Sequence, residues 1–199
     1  MIEDFKKALE TRRTYYAISD EKVVEDEKVK ELIEHVVKHT PSAFNSQTAR
    51  VVLLLEDSHD KLWEITRSAL EEVTPAEQFS TTSKKVDAFK AGRGTILFFE
   101  DMDIVHDLQI KFPLYEKQFP NYSMESSGMH QYNIWTGLKL LGYGASLQHY
   151  TELIDGQVKK EWGFPQNWKM RAQMPFGKPV ADAGEKEFMP LEDRVKVYR

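Results

Sequence analysis

Apolar residues in the opening segment MIEDFKKALETRR recur as Ile2, Phe5, Ala8 and Leu9, the spacing of one helix face, and the segment ends in Arg12 and Arg13. A second helical stripe runs through Val29, Leu32, Ile33, Val36 and Val37, with Ser19 and Asp20 as capping residues ahead of it and Pro41 to stop it. The unbroken apolar run Val51 to Leu55 predicts a core strand over residues 50–56. DSHDKLWEITRSALEEV returns to helical spacing at Leu62, Ile65, Ala69 and Leu70. TPAEQFSTTSKKVDAF is polar and carries no decisive period, whereas TILFFE at 95–100 reads as a second core strand.

Residues 101–123 mix a helical turn or two with a proline-broken, aromatic-rich loop. A long helix is predicted from Ser126, with Met129, Tyr132, Trp135, Leu138 and Leu141 on one side and a glycine stop at Gly142 and Gly144. ASLQHY reads as a third strand. NWKMRAQMPFG alternates Trp168, Met170, Ala172 and Met174 against Lys169, Arg171 and Gln173, as a half-buried fourth strand does. Val195 and Val197 mark a candidate late strand. Helices and strands mix without regular β-α-β alternation, so the expected class is α+β, and no repeat or linker divides the expected single domain, 1–199.

The composition, 41% hydrophobic and 30% charged over 199 residues, is that of a chain able to bury a sizeable core. A net charge of −5 argues against nucleic acid or an anionic membrane as the main partner. The absence of cysteine removes disulfides, thiolate metal sites and cysteine nucleophiles. An acidic start and no apolar run near the roughly 18 residues of a membrane span lead to the expectation of a soluble, cytoplasmic protein.

His35 and His39 are spaced to share a metal, but the intervening VVK lacks a zinc-protease glutamate, and both fit the electrostatics of a helix C-terminus, so no metal site is expected. AGRGT precedes a strand where phosphate-binding glycine motifs follow one, and reads as a turn. No nucleophile elbow occurs. In TRRTYY, Arg12, Arg13 and Thr14 gather two guanidinium forks and a hydroxyl, which suits either a phosphate or the carbonyl end of the first helix. SAFNSQ offers groups that both donate and accept, as the edge of a heteroaromatic ring requires and as an ordinary loop also does.

Taken together, RRT after the first helix, PSAFNSQ before the first core strand, GYGASLQHY after the long helix and the closing GEKEF and PLE resemble the FMN-dependent nitroreductase family over essentially the whole chain. The wording of RRTYYAI, SSGMHQYNIW, GASLQHY and AQMPFGKP is most similar to the subgroup of the yeast fatty-acid-repression-type proteins and a copper-induced bacterial nitroreductase. The resemblance implies a three-layer α-β-α fold with a mainly antiparallel sheet, completed by the C-terminal strand of a homodimer partner, and two FMN molecules at the interface. It implies that Arg12, Arg13, Thr14 and Lys186 lie at the flavin phosphate. Ser42, Asn45 and Gln47 then approach the flavin of the second subunit, and Ser146, Leu147 and Gln148 lie under the isoalloxazine ring, a backbone N–H facing N5.

Two positions depart from the family pattern. Tyr16 stands where many relatives carry Lys or Arg toward the pyrimidine edge, and Phe188 where a second C-terminal basic residue is common. The implied activity is NADH- or NADPH-dependent reduction of nitro compounds or quinones by ping-pong hydride transfer at FMN N5, with no catalytic side chain required. Phe44, Tyr122 and Tyr132 are candidates for the acceptor pocket, though core positions suit each. The alternatives are other flavin chemistry, such as reductive dehalogenation or flavin destruction, or a slow redox-sensing flavoprotein in lipid or metal stress.

Overall fold

In the computed structural model, which describes residues 1–199, successive side chains of the strand Gly94–Asp101 (β3) point to opposite faces and both faces are covered. Ile96 and Phe98 enter one core with Val29, Ile33, Ile134, Leu138, Ala172 and Met174. Leu97 and Phe99 enter another with Leu62, Trp63, Val86, Phe89, Ile154 and Val158. Helices Asp26–His39 (α2) and Phe119–Leu140 (α6) therefore form one outer layer, and Glu56–Val73 (α3), Ala76–Lys90 (α4) and Thr151–Trp162 (α7) the other. The first helix, Ile2–Thr11 (α1), packs on α6, and Met102–Lys111 (α5) also contacts α6.

The sheet runs β1-β5-β3-β2 and every strand pairing is antiparallel, with β1 at Ile18–Ser19, β2 at Ala49–Leu55 and β5 at Trp168–Pro179. A short strand at Gly144–Ala145 (β4) pairs with β5 beside β1. The α+β class and the layered architecture expected from the sequence are both present.

Several elements differ from the sequence reading. Helix α2 begins at Asp26, because Ser19 is taken into β1 opposite Lys178. Helix α6 begins at Phe119, seven residues before Ser126, with Pro120 in its first turn, where proline's missing N–H costs nothing. The stretch before it contains α5 and a short 3-10 turn at Pro113–Tyr115. The polar segment 76–90 is α4, which buries only Val86 and Phe89, and α7 was not foreseen.

Gln173 is fully buried, against its assignment to a solvent face: β5 lies inside the sheet and a register shift opposite Phe98/Phe99 accommodates Arg171 as an extra residue. ASLQHY is strand only at Ala145, followed by a single bridge from Gln148 to Gln173. The tail after Pro179 forms no strand within its own chain, and Val195 and Val197 are exposed.

Candidate functional site

Where α1 ends, Arg12 turns extended, and the next residues run alongside β4: Thr14 bridges Ala145 in parallel and the Tyr15 N–H donates to the Ala145 carbonyl at 3.0 Å. Gly144 permits this approach, since a Cβ there would lie 2.7 Å from Tyr15 Cβ. Two segments remote in sequence, RRT and GASLQ, are thereby brought side by side. The tail returns to the same place, where an Arg13 Nη2 donates to the Gly184 carbonyl.

Arg12, Arg13, Thr14, Tyr16, Gly184, Glu185 and Lys186 line one cleft of about 410 Å³. No carboxylate lies within ion-pair distance of Arg12, Arg13 or Lys186. Arg12 Nε is moreover buried without a hydrogen-bond partner. Three cations that make no ion pair thus share a cleft with one carboxylate, Glu185, a net positive lining on an acidic protein and one that suits an anion.

Tyr16 is shared with a second cleft of about 350 Å³, lined also by Lys85, Ala88, Phe89, Gln148 and Tyr150. This slot is mainly apolar in lining and has one cation, Lys85, at its wall. Burial pushes the Tyr150 phenol above its usual range, keeping it neutral. The cation-lined cleft and the apolar slot share Tyr16 as a lining residue.

In the segment that contributes Gln148 to the slot, the Ser146 and Gln148 N–H groups donate to the carbonyls of Pro175 and Gln173 at 3.2 and 2.7 Å. The intervening Leu147 N–H has no protein acceptor. The segment is held by buried Gln173, whose backbone pairs with Gln148 in both directions and whose side-chain oxygen accepts from the Tyr150 N–H at 2.8 Å. Gln148 Nε2 donates to Ser146 Oγ at 3.0 Å.

The PSAFNSQ loop lies elsewhere on the chain. Ser42 and Gln47 border a separate cavity of about 150 Å³ with Thr40, Arg50 and His130. Phe44, Asn45 and Gln47 all have positive φ, 57°, 51° and 51°, a strained arrangement for non-glycine residues. Its ends are tied to α6. Ser126 Oγ donates to the Pro41 carbonyl at 3.4 Å, while Thr48 and Ser123 hydroxyls both donate to Oε2 of Glu100, the latter at 2.7 Å.

Glu100 is fully buried and its Oε1 has no partner. Burial holds its carboxyl above the usual range, opposed by the two hydroxyls and by Arg171 and His130 nearby. Phe44, half-exposed, packs on Phe112, Phe119 and Tyr115 with ring centroids 4.8, 5.3 and 5.8 Å away.

Arg12, Arg13, Thr14, Tyr16 and Lys186 are thus brought together, and Gln148 joins them through Tyr16, with Ser146 and Leu147 beside it. Ser42, Asn45 and Gln47 form a separate group within one chain. The sequence reading missed Lys85 and Gln173. Lys85 lay in the segment without decisive period, and Gln173 differed from its polar strand neighbours in no way visible without the topology.

A nitroreductase family model matches residues 9–178. The nitroreductase FRM2 of Saccharomyces cerevisiae is 32% identical over 197 residues, spanning 98% of this chain and 97% of the yeast protein. Nitroreductase CinD from Lactococcus lactis, in complex with chloramphenicol, superposes with a TM-score of 0.90 at 47% identity, covering 98% of this chain and all of its own; it has also been solved with 4-nitrophenol. A Desulfovibrio desulfuricans protein in complex with FMN shares the fold, with a TM-score of 0.69 at 18% identity over 98% of this chain and 96% of its own.

Proposed function

Since the chain belongs to the nitroreductase family, and is an oxidoreductase on that ground, we propose that it binds FMN and reduces nitro compounds and quinones with NADH or NADPH in ping-pong alternation. The observation that carries this reading is the cleft of Arg12, Arg13 and Lys186, three cations in no ion pair, which shares Tyr16 with an apolar slot. When bound, FMN supplies the hydride chemistry at N5, and the protein supplies orientation and electrostatics. The nitro-bearing ligands solved with CinD support the acceptor class.

In this reading Arg12, Arg13, Thr14 and Lys186 hold the phosphate, and Ser146, Leu147 and Gln148 support the ring. Leu147, whose N–H is free while its two neighbours are committed to β5, would offer that N–H to N5 of a bound flavin. Tyr16 cannot stabilise negative charge at the pyrimidine edge as a cation does, and Lys85, the one cation lining the slot, would take that part from α4. Ser42, Asn45 and Gln47 serve the flavin of the other subunit in a homodimer, and Phe44 presents an aromatic wall to the acceptor. The exposed apolar tail, including Phe188, Met189, Leu191, Val195 and Val197, is explained by burial on that partner.

The test is an absorbance spectrum of the purified protein followed by anaerobic NADH and NADPH titration and turnover with a nitroarene and a quinone. Flavin reduced rapidly and reoxidised by either acceptor is the expected result. Slow reduction without turnover favours a redox sensor, and a colourless protein that takes up no added FMN overturns the proposal.

A further inference from the structure

Arg50, Arg67 and Arg93 are each placed by a carboxylate: Asp101, Asp87 and Asp26 respectively. Arg12 is placed differently. Its guanidinium carbon lies 4.4 Å from the Trp135 ring centroid and 5.5 Å from that of Tyr132. The two aromatics are three positions apart on α6, one turn along the same side of the helix. Trp135 packs against the core cluster of α2, α6 and the sheet, so the ring itself is held. Arg12 Nε and Trp135 Nε1 are both buried and unpaired.

The distinction has a chemical consequence. A carboxylate that fixes an arginine also neutralises it and competes with any incoming anion. An aromatic face attracts the cation through its quadrupole and brings no negative charge to be displaced. We infer that Trp135, assisted by Tyr132, is a positioning residue that aims Arg12 into the phosphate cleft while leaving its charge uncompensated for the cofactor phosphate. This rests on the proposal that FMN binds with its phosphate at Arg12, Arg13 and Lys186.

Riboflavin separates the two claims, since it has the ring and ribityl chain of FMN without the phosphate. Equilibrium affinities for FMN and riboflavin, read by flavin fluorescence on the apo-protein, are to be compared for wild type, R12A, W135L, W135F and Y132L, with apo melting temperatures alongside. Wild type should prefer FMN, and R12A should lose most of that preference. W135L should weaken FMN binding on the order of threefold to thirtyfold, from the range of cation–π strengths, and leave riboflavin affinity unchanged.

W135F, which restores an aromatic face, should recover most of the loss. Y132L, altering a more exposed ring, should act in the same direction to a smaller extent and keeps the test available if W135L does not fold. Equal weakening of both ligands by W135L and Y132L, or no weakening of either, overturns the inference. If R12A leaves the FMN-to-riboflavin ratio unchanged, the phosphate assignment itself fails, whatever Trp135 does.

Discussion

Replacing Glu100 by glutamine tests how the PSAFNSQ loop is anchored. The Glu100 carboxyl is fully buried, accepts two hydroxyl hydrogen bonds on Oε2 and leaves Oε1 without a partner. Its folded-state pKa is raised, chiefly by burial, while Thr48, Ser123, Arg171 and His130 oppose the shift. Stability from such a group is fully present below the unfolded carboxylate pKa and is lost as pH rises through the folded value. Each unit of separation between the two is worth about 1.4 kcal/mol.

The amide introduced by Glu100→Gln keeps an oxygen for both hydroxyls and cannot ionise. Below about pH 4, where the wild-type carboxyl is neutral and carries one unpaired O–H of its own, the variant should be the less stable protein by about 1 kcal/mol for its one additional unpaired hydrogen. With rising pH the wild type loses the ionisation-linked part of its stability and the variant does not, so the gap should narrow and then reverse or level off. Urea unfolding of both proteins from about pH 4 to 8, at one fixed protein concentration, measures the difference. A difference independent of pH refutes the argument, because it means that Glu100 titrates alike in both states.

Four further outcomes follow from the same geometry. Arg12→Ala should weaken FMN binding by about tenfold to a hundredfold, the worth of one charge-assisted hydrogen bond of roughly 1.5 to 3 kcal/mol, measured by fluorescence titration. Lys85→Met should lower the flavin midpoint potential by some tens of millivolts, the two-electron equivalent of about 1 to 2 kcal/mol, in spectroelectrochemistry; an unchanged potential removes Lys85 from the pyrimidine edge. Gly144→Ala places a methyl 2.7 Å from Tyr15 Cβ and should both lower the melting temperature and weaken FMN binding, by separating the RRT and GASLQ segments. Phe98→Ala, deep in the core between α2, α6 and the sheet, should cost about 3 to 5 kcal/mol in chemical denaturation with little effect on flavin contacts.

The sequence carried the layers better than the site. Strand β3 was legible because the unbroken apolar run from Ile96 to Phe99 suits a strand buried on both faces. The fourth strand was misread as half-buried because Lys169 and Arg171 do alternate with apolar residues, while the covering that buries Gln173 comes from elements remote in sequence. Pro120 signalled a break because a proline's position within a helix is invisible until its start is known. Helix α4 escaped because only Val86 and Phe89 are buried on it, too few to impose a period.

At the site, Arg12, Arg13 and Thr14 were ambiguous between a helix end and a phosphate. Family resemblance favoured the phosphate, and the fold leaves Arg12, Arg13 and Lys186 outside any ion pair, a fact the sequence could not show. The positive φ values at Phe44 and Gln47 have no sequence signal, since the loop has no glycine to announce them, whereas Asn45 is a residue type that tolerates the left-handed region.

Strand β2 ends the sheet order, with β3 on one side and no strand of its own chain on the other. Its sequence, ARVVLLL, combines β-branched and aliphatic residues with one charge and no proline, the composition from which cross-β stacks are built. In the proposed homodimer, a lone subunit is therefore a hazardous species as well as an inactive one. Covering that edge in an assembled protein then protects solubility, whatever it does for the reaction.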